Sequence, residues 1–395
     1  MEAIQITLPS SKSLSNRWLV LDYLSRNGVK IKNLSVADDT QLLKRLLRQI
    51  KMGRRHTFDC HDAGTAARFI TALLAVTPGT HTVTGTERLC QRPMGPLFDA
   101  LRSIGCQIRC TEKEGCLPVQ IDGIVPTATR VVVDCSQSSQ FASALLLMAA
   151  SLPHGLAVEL KNVSASEPYV HMTLEILRIA GINWTFKGNP PAYFVEHLIP
   201  NADAVSIEKD WSSASYFFEA VALRKGLRLH LSGLEYPSLQ GDSALVDIFS
   251  RLGVVTEPSG LSLDVERTGD PCDTFVHDFL HTPDLVPAVA VTCAALGVDA
   301  RLTGIANLRL KESDRVEAIV TELGKMGCKV EASQDELHLF PSELKVTQPV
   351  DPHNDHRIAM AFAVLKLVHP DVEVVNPEVV SKSFPAFFEM LERIV

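Results

Sequence analysis

The sequence predicts an α/β protein of two domains, each built from three copies of a βαβαββ unit around buried helices, with the first copy trimmed. Three observations predict this. An Ala- and Leu-rich helical pattern preceded by small polar residues recurs along the 395-residue chain. An amphipathic helical pattern ending in Gly recurs between its copies, and strand-like pairs follow.

The first buried-helix pattern runs from Ser11, Lys12, Ser13, Leu14, Ser15, Asn16 and Arg17 into residues 18–24. The second runs from Asp62, Ala63, Gly64, Thr65 and Arg68 into 69–76, and the third from Ser138, Ser139 and Gln140 into 141–150. The fourth follows Asp210, Trp211 and Ser212 into 216–223. The fifth follows Thr282, Pro283 and Asp284 into 285–296, and the sixth follows Asn354, Asp355, His356 and Arg357 into 358–367. From the second copy onward the spacing is roughly 75 residues, the mark of a repeated supersecondary unit.

The amphipathic patterns cover 97–104, 174–180, 245–252 and 318–326, and end at Gly105, Gly181, Gly253 and Gly327. Glycine past a helix end supplies the positive φ that a side chain resists. Strand-like pairs follow, as at 106–110 with 119–122 and 328–332 with 336–340. Between Asp38 and Cys60 there is room only for a helical run at 40–50 and a basic turn, so the first unit is short. The predicted domains are 11–208, and 1–10 with 209–395.

Composition excludes several classes. The net charge of −8 argues against a nucleic-acid surface. Nine cysteines without a CxxC pair lack zinc-ligand spacing and suit reduced thiols in a cytoplasmic protein. The N-terminus shows no signal-peptide pattern, and the apolar runs at 141–152 and 285–298 are too short to span a membrane.

Helices apolar on every face belong inside a domain. Their polar residues gather at the N-terminal ends, where unpaired N–H groups favour anions. A single Ser, Thr or Asp there is adequately explained as a cap. Lys12, Arg17, Arg68 and Arg357 at the same ends oppose the helix dipole, so stability alone does not account for them. The stretch Asn307, Leu308, Arg309, Leu310, Lys311, Glu312, Ser313, Asp314 and Arg315 leads into another amphipathic helix, which Ser313 or Asp314 can cap. Taken alone, it reads as a solvated charged turn.

Together these motifs resemble the 5-enolpyruvylshikimate-3-phosphate synthase (EPSP synthase) family. The resemblance runs from about Leu8 to Ile394. It rests on Ser11-Lys12-Ser13 with Asn16-Arg17, Ala63-Gly64-Thr65-Ala66, Gln91-Arg92-Pro93-Met94 and Ser138-Ser139-Gln140-Phe141. It continues through Ser213-Ala214-Ser215-Tyr216, Leu310 to Arg315, Asn354-Asp355-His356-Arg357 and Ser381-Lys382-Ser383-Phe384-Pro385. The resemblance implies the enolpyruvyl transferase fold, an inverse α/β barrel-like arrangement, with the active site in an interdomain cleft. The 11–208 domain would mainly bind shikimate 3-phosphate. The other domain would mainly bind phosphoenolpyruvate and carry the acid/base residues.

The implied reaction joins shikimate 3-phosphate and phosphoenolpyruvate through a tetrahedral adduct that loses phosphate, with no metal and no organic cofactor. Carried over by position, Lys12 touches both substrates. Ser13, Arg17, Ser138, Ser139, Ser166, Tyr169, Asn307 and Lys311 hold shikimate 3-phosphate. Gln140 reaches both ligands, and Gly64, Arg92, Arg315, Arg357 and Lys382 hold phosphoenolpyruvate. Asp284 accepts the hydroxyl proton and also contacts shikimate 3-phosphate. Glu312 gives and takes the proton at the methylene carbon, with Lys12 as a further catalytic group. Cations around Glu312 would pull its pKa down, and burial would push it up. Arg68 and His356 read as structural.

Asp62 stands where the family commonly has Asn, and Trp211 where a small residue is usual. Two rival readings remain. One is UDP-N-acetylglucosamine enolpyruvyl transferase, whose reactive-cysteine loop pattern Cys90 does not match. The other is a non-catalytic binding protein of the same fold. The expected partners are small molecules only, with no nucleic acid, no membrane and a monomeric chain.

Overall fold

The computed structural model describes residues 3–53, 56–162, 167–188 and 190–395. The chain forms two compact units, one of Lys12–Ile207 and one of Met1–Ser11 with Glu208–Val395. Each has its own hydrophobic core.

In the Lys12–Ile207 unit, strand Thr57–Asp59 leads into helix Gly64–Ala75 and returns as Gly79–Thr84, pairing parallel with the first strand. Helix Gly95–Ser103 then leads to Gln107–Cys110 and Val119–Gly123; the latter pairs antiparallel with both Gly79–Thr84 and Gln107–Cys110 and completes a four-stranded sheet. The same succession recurs with strands Arg130–Asp134, Leu156–Lys161, Trp184–Gly188 and Pro191–Val195, around helices Gln140–Ala149 and Glu167–Ile179. The first copy is reduced as expected. It keeps helices Lys12–Leu24 and Asp38–Met52, and among the described residues Lys30–Lys32 pairs only with Ala204–Ser206.

The other unit repeats the pattern. Ile4–Ile6 pairs parallel with Arg228–Ser232 across helix Trp211–Leu223, and Ser262–Arg267 and Val254–Pro258 complete the sheet. Thr274–Asp278, Asp299–Thr303, Glu336–Leu339 and Val330–Ala332 form the next sheet around helices Val286–Leu296 and Arg315–Lys325. The last copy is reduced more than expected. Beside helix His356–Val364 it keeps only an isolated bridge between Val350 and Val374, because the chain then turns into the short helices Pro377–Lys382 and Phe387–Glu392.

The buried helices are apolar on every side. Each residue from Phe141 to Ala149 and from Val286 to Ala294 is buried. With no polar face to give to water, these helices must lie inside the unit, and their polar side chains gather mainly in the first turns. The four predicted helix-ending glycines adopt φ of +100°, +79°, +84° and +82° at Gly105, Gly181, Gly253 and Gly327.

Candidate active site

In the Lys12–Ile207 unit, Lys12 opens helix Lys12–Leu24, and its Nζ donates to Asp39 Oδ2 at 3.0 Å. Asp39 lies in the first turn of Asp38–Met52, where the helix start favours a carboxylate. One turn beyond Lys12, Arg17 is buried. Its Nε donates to Thr173 Oγ1 (2.7 Å), its Nη1 to the Ser13 carbonyl (2.9 Å), and its Nη2 to Ser143 Oγ and the Tyr169 carbonyl (both 3.1 Å). Those four acceptors are neutral oxygens. Burial of a charge so weakly compensated pulls the guanidinium down to about 10. The Tyr169 ring lies 6.0 Å from the same guanidinium.

Gly64, the first residue of its helix, has a use that the sequence did not suggest. A Cβ there would fall 2.7 Å from Nη1 of both Arg68 and Arg92, so the missing side chain makes room for two guanidiniums. Arg68 Nη1 donates to the Gly64 carbonyl (2.9 Å) and its Nη2 to the Pro93 carbonyl (3.3 Å), which suits the structural role expected of it. Gln140 Nε2 donates to Thr65 Oγ1 (3.0 Å), joining the starts of the second and third buried helices. Its Oε1 is buried with no hydrogen-bond partner among the described residues. Ser138 Oγ accepts from the Gln140 amide (3.2 Å), and Ser139 is buried beside it. Ser166 lies outside the described residues. Asp62 is exposed and accepts from the Thr86 hydroxyl.

The Glu208–Val395 unit holds a different cluster. Asp284 sits in the short 3-10 turn Pro283–Leu285 that precedes helix Val286–Leu296. Its Oδ1 accepts from Arg315 Nη1 (2.9 Å) and its Oδ2 from Arg357 Nη2 (2.8 Å). Arg315 Nη2 donates to Glu312 Oε2 (2.9 Å), and Arg315 Nε to Asp355 Oδ2 (2.7 Å). Asp355 caps helix His356–Val364 through the Arg357 amide (2.9 Å) and also accepts from Ser313 Oγ (3.3 Å). Arg315 is only 1% exposed, so its fork is committed to these three carboxylates.

Burial pushes the Asp284 carboxyl up. Arg357, Lys311 and Arg315 pull harder and hold it well below the usual carboxylate range. Burial works against the Arg315 charge in the same way, but Asp355, Glu312 and Asp284 raise its pKa above the usual arginine value. Asn307, Lys311 and Lys382 are half-buried near the ends of two 3-10 turns, Ala306–Leu310 and Pro377–Lys382. Asp314 caps helix Arg315–Lys325 by accepting from the Glu317 amide (3.0 Å), and it also pairs with Arg309 (3.1 Å). His356 is buried with its Nδ1 3.7 Å from Asp355 Oδ1.

Sequence reasoning missed Asp355 as the residue that fixes Arg315. It is visible as a cap before the sixth helix, but the sequence gives no sign of a partner forty positions earlier. Asp39, Thr65 and Thr173 were missed for the same reason. Each is an ordinary helix residue until the fold brings a cation or amide to it.

The fold is that of the enolpyruvyl transferases. The structure matches an EPSP synthase from Acinetobacter baumannii with a TM-score of 0.77 at 21% identity, covering 99% of this chain and 96% of that one. It matches the enolpyruvyl transferase NikO from Streptomyces tendae with a TM-score of 0.72 at 15% identity, covering 100% and 94%. The family model of EPSP synthase (3-phosphoshikimate 1-carboxyvinyltransferase) matches residues 49–391. A 3-phosphoshikimate 1-carboxyvinyltransferase of Bacteroides fragilis is 38% identical over 98% of this chain and 94% of its own length. One from Sulfurovum sp. is 33% identical over 99% and 96%. The chain belongs to the EPSP synthase family.

Among the described residues no helix is long and apolar enough to cross a membrane.

Proposed function

We propose that this protein transfers the enolpyruvyl group of phosphoenolpyruvate to the 5-hydroxyl of shikimate 3-phosphate and releases phosphate. This is a step of the shikimate pathway toward chorismate and the aromatic amino acids. The observation that carries the reading is the network Asp284–Arg315–Glu312, two carboxyls oriented by one shared guanidinium, with Arg357 on Asp284 alone of the two. The reaction moves one proton off a hydroxyl, and one onto and then off a methylene carbon, which asks for two positioned acid/base groups.

Asp284 accepts the 5-hydroxyl proton as that oxygen attacks C2 of phosphoenolpyruvate. Protonated Glu312 delivers its proton to C3, giving the tetrahedral adduct. Glu312 then takes a proton back from C3 as the C2–O bond to phosphate breaks, and the departing phosphate takes the proton held on Asp284, so both carboxyls end as they began. Arg17, Ser13, Ser138, Ser139, Ser166 and Tyr169 bind shikimate 3-phosphate, with Asn307, Lys311 and Asp284. Gly64, Arg92, Arg357 and Lys382 hold phosphoenolpyruvate beside Arg315, whose own donors orient Asp284, Glu312 and Asp355 rather than meeting the substrate as the resemblance implied, and Lys12 and Gln140 serve both. Cationic forks suit the two phosphates and two carboxylates involved. The first unit mainly binds shikimate 3-phosphate, the second mainly binds phosphoenolpyruvate and moves the protons, and both serve one reaction.

The rival reading with a reactive cysteine gains no support. Cys90 lies in the short helix Glu87–Gln91, its Sγ donates to the Gly85 carbonyl (3.5 Å), and burial pushes the thiol pKa up. The proposal includes a monomeric, cytoplasmic enzyme needing neither metal nor organic cofactor. The test is phosphate release on mixing shikimate 3-phosphate with phosphoenolpyruvate in the presence of EDTA. Steady release supports the reading. No release with or without EDTA contradicts the activity, and loss to EDTA alone contradicts metal independence.

A further inference from the structure

Helix Arg315–Lys325 turns two charged side chains toward the interior of its unit. Arg315 and Glu322 are each 1% exposed and stand seven positions apart, so they share one face of the helix. Arg315 belongs to the carboxylate network at the helix start. Glu322 lies roughly 10 Å further along the axis, at 1.5 Å of rise per residue. A carboxylate buried that deeply needs donors. Its Oε1 accepts from Lys325 Nζ (2.7 Å) and His353 Nε2 (2.8 Å), and its Oε2 from the Asp351 amide (3.2 Å). Lys325 is a neighbour on the same helix. Asp351 and His353 belong to the stretch that leads into helix His356–Val364.

That stretch differs from its counterparts. Before the buried helices of three other copies, strands Thr57–Asp59, Arg130–Asp134 and Thr274–Asp278 each pair parallel with the strand that follows the helix. Here the ladder is reduced to the bridge between Val350 and Val374. Beyond the bridge, His353 and Asn354 adopt φ of +51° and +55° in succession, although neither is glycine. Such backbone costs free energy and persists only where its surroundings over-determine it. Two contacts are local to the turn: Asp351 Oδ1 accepts from the His353 amide, and the Pro352 carbonyl from the Asp355 amide (both 2.8 Å). Glu322 ties the same turn to a neighbouring helix.

The turn delivers Asp355 and Arg357. Asp355 accepts from Arg315 Nε (2.7 Å), and Arg357 Nη2 donates to Asp284 Oδ2 (2.8 Å). One helix therefore holds the approach to the next at two points, through Glu322 at 351 and 353 and through Arg315 at 355. A single hold would leave a pivot. Two holds on one rigid element fix direction as well as place, which a binding side chain requires.

We propose that Glu322 is a positioning residue for phosphoenolpyruvate binding: by tying Asp351 and His353 to helix Arg315–Lys325, it fixes the turn that presents Asp355 and Arg357. The proposal rests on the reading of Arg357 as a phosphoenolpyruvate ligand. Glu322 acts through that turn and not on the substrate.

The test uses Glu322→Gln, His353→Ala and the double variant. Glutamine keeps the shape but offers one acceptor oxygen, so it loses the tie on one side. His353 is half-exposed, so its truncation leaves the core intact. The first readout is backbone hydrogen exchange without substrate, followed by mass spectrometry. Amides at 351–357 should exchange ~10-fold faster or more in Glu322→Gln, with helix Val286–Leu296 as protected as in the wild type. The second is steady-state phosphate release. KM for phosphoenolpyruvate should rise ~5–20-fold in Glu322→Gln and less in His353→Ala, with KM for shikimate 3-phosphate and kcat within about threefold of wild type. The double variant should match Glu322→Gln alone, since both changes cut one tie.

Unchanged exchange at 351–357 overturns the proposal. So do equal rises of both KM values with a lowered melting temperature, which describe a merely structural residue. A double variant showing the full product of the single effects overturns it as well. If the wild type releases no phosphate, the reading of the activity fails, and the exchange arm alone decides whether Glu322 positions the turn.

Discussion

Arg17 and Arg315 are both buried guanidiniums near the start of a helix, yet they are satisfied by different partners. Arg17 spends its donors on hydroxyls and carbonyls, so its charge stays exposed in energetic terms although it is hidden from water. Arg315 is surrounded by Asp284, Glu312 and Asp355, so its charge is cancelled in place. The first arrangement gains from an arriving anion, which supplies the missing countercharge. The second is already paired; its value lies in orienting carboxyls and setting their proton affinities. The comparison assigns capture of shikimate 3-phosphate to the Arg17 cluster and proton transfer to the cluster around Arg315.

The largest effect is expected in the second cluster. Glu312→Gln keeps the shape but cannot exchange a proton, so kcat should fall ~10²–10⁴-fold in a phosphate-release assay while substrate dissociation constants stay close to wild type. In the first cluster, Arg17→Gln removes a charge that has no carboxylate among its hydrogen-bond partners. Loss of charge-assisted hydrogen bonds of about 1.5–3 kcal/mol should weaken shikimate 3-phosphate binding roughly 10–100-fold by calorimetry. Gly64→Ala is gentler, because the added methyl must push aside the ends of two flexible arginines. It should raise KM for phosphoenolpyruvate several-fold with a smaller change in kcat, and an unchanged KM would mean that Arg92 does not hold that substrate.

Glu219 offers the smallest effect and a useful control. It lies fully buried in helix Trp211–Leu223 with neither oxygen hydrogen-bonded among the described residues, and burial raises its pKa well above the ordinary value. The unfolded carboxyl ionises near about pH 4.3, while the folded one stays protonated. Its contribution to stability is therefore complete below that pH and is lost as pH rises toward the folded pKa. Glu219→Leu should remove this slope and stabilise the protein by about 1–3 kcal/mol at pH 8, with little gain at pH 4, in thermal or urea unfolding. A destabilised variant at pH 8 would show that the buried carboxyl has a partner that geometry does not reveal.

Much of the fold is legible in the sequence because it repeats. Six apolar helices with polar first turns, and four amphipathic helices ending in Gly, leave few ways to arrange the strands between them. The reduced last copy was not legible: residues 368–395 are ordinary in composition, and only pairing shows that they supply no sheet. The candidate site was legible as residue types, since Lys12, Arg17, Asp284, Glu312 and Arg357 stand in motifs. Their pairings were not. Asp355 beneath Arg315 and Thr173 beneath Arg17 depend on segments 40 and 156 positions apart. Glu219 carries no motif, and it is burial that raises its pKa.

The central claim is that one cluster binds and the other moves protons. The direct measurement is a shikimate 3-phosphate titration alongside single-turnover kinetics at saturating substrate, on Arg17→Gln and Glu312→Gln together. The division predicts weakened binding with near-normal turnover for the first variant, and near-normal binding with lost turnover for the second. Equal loss of binding and turnover in both variants would contradict it.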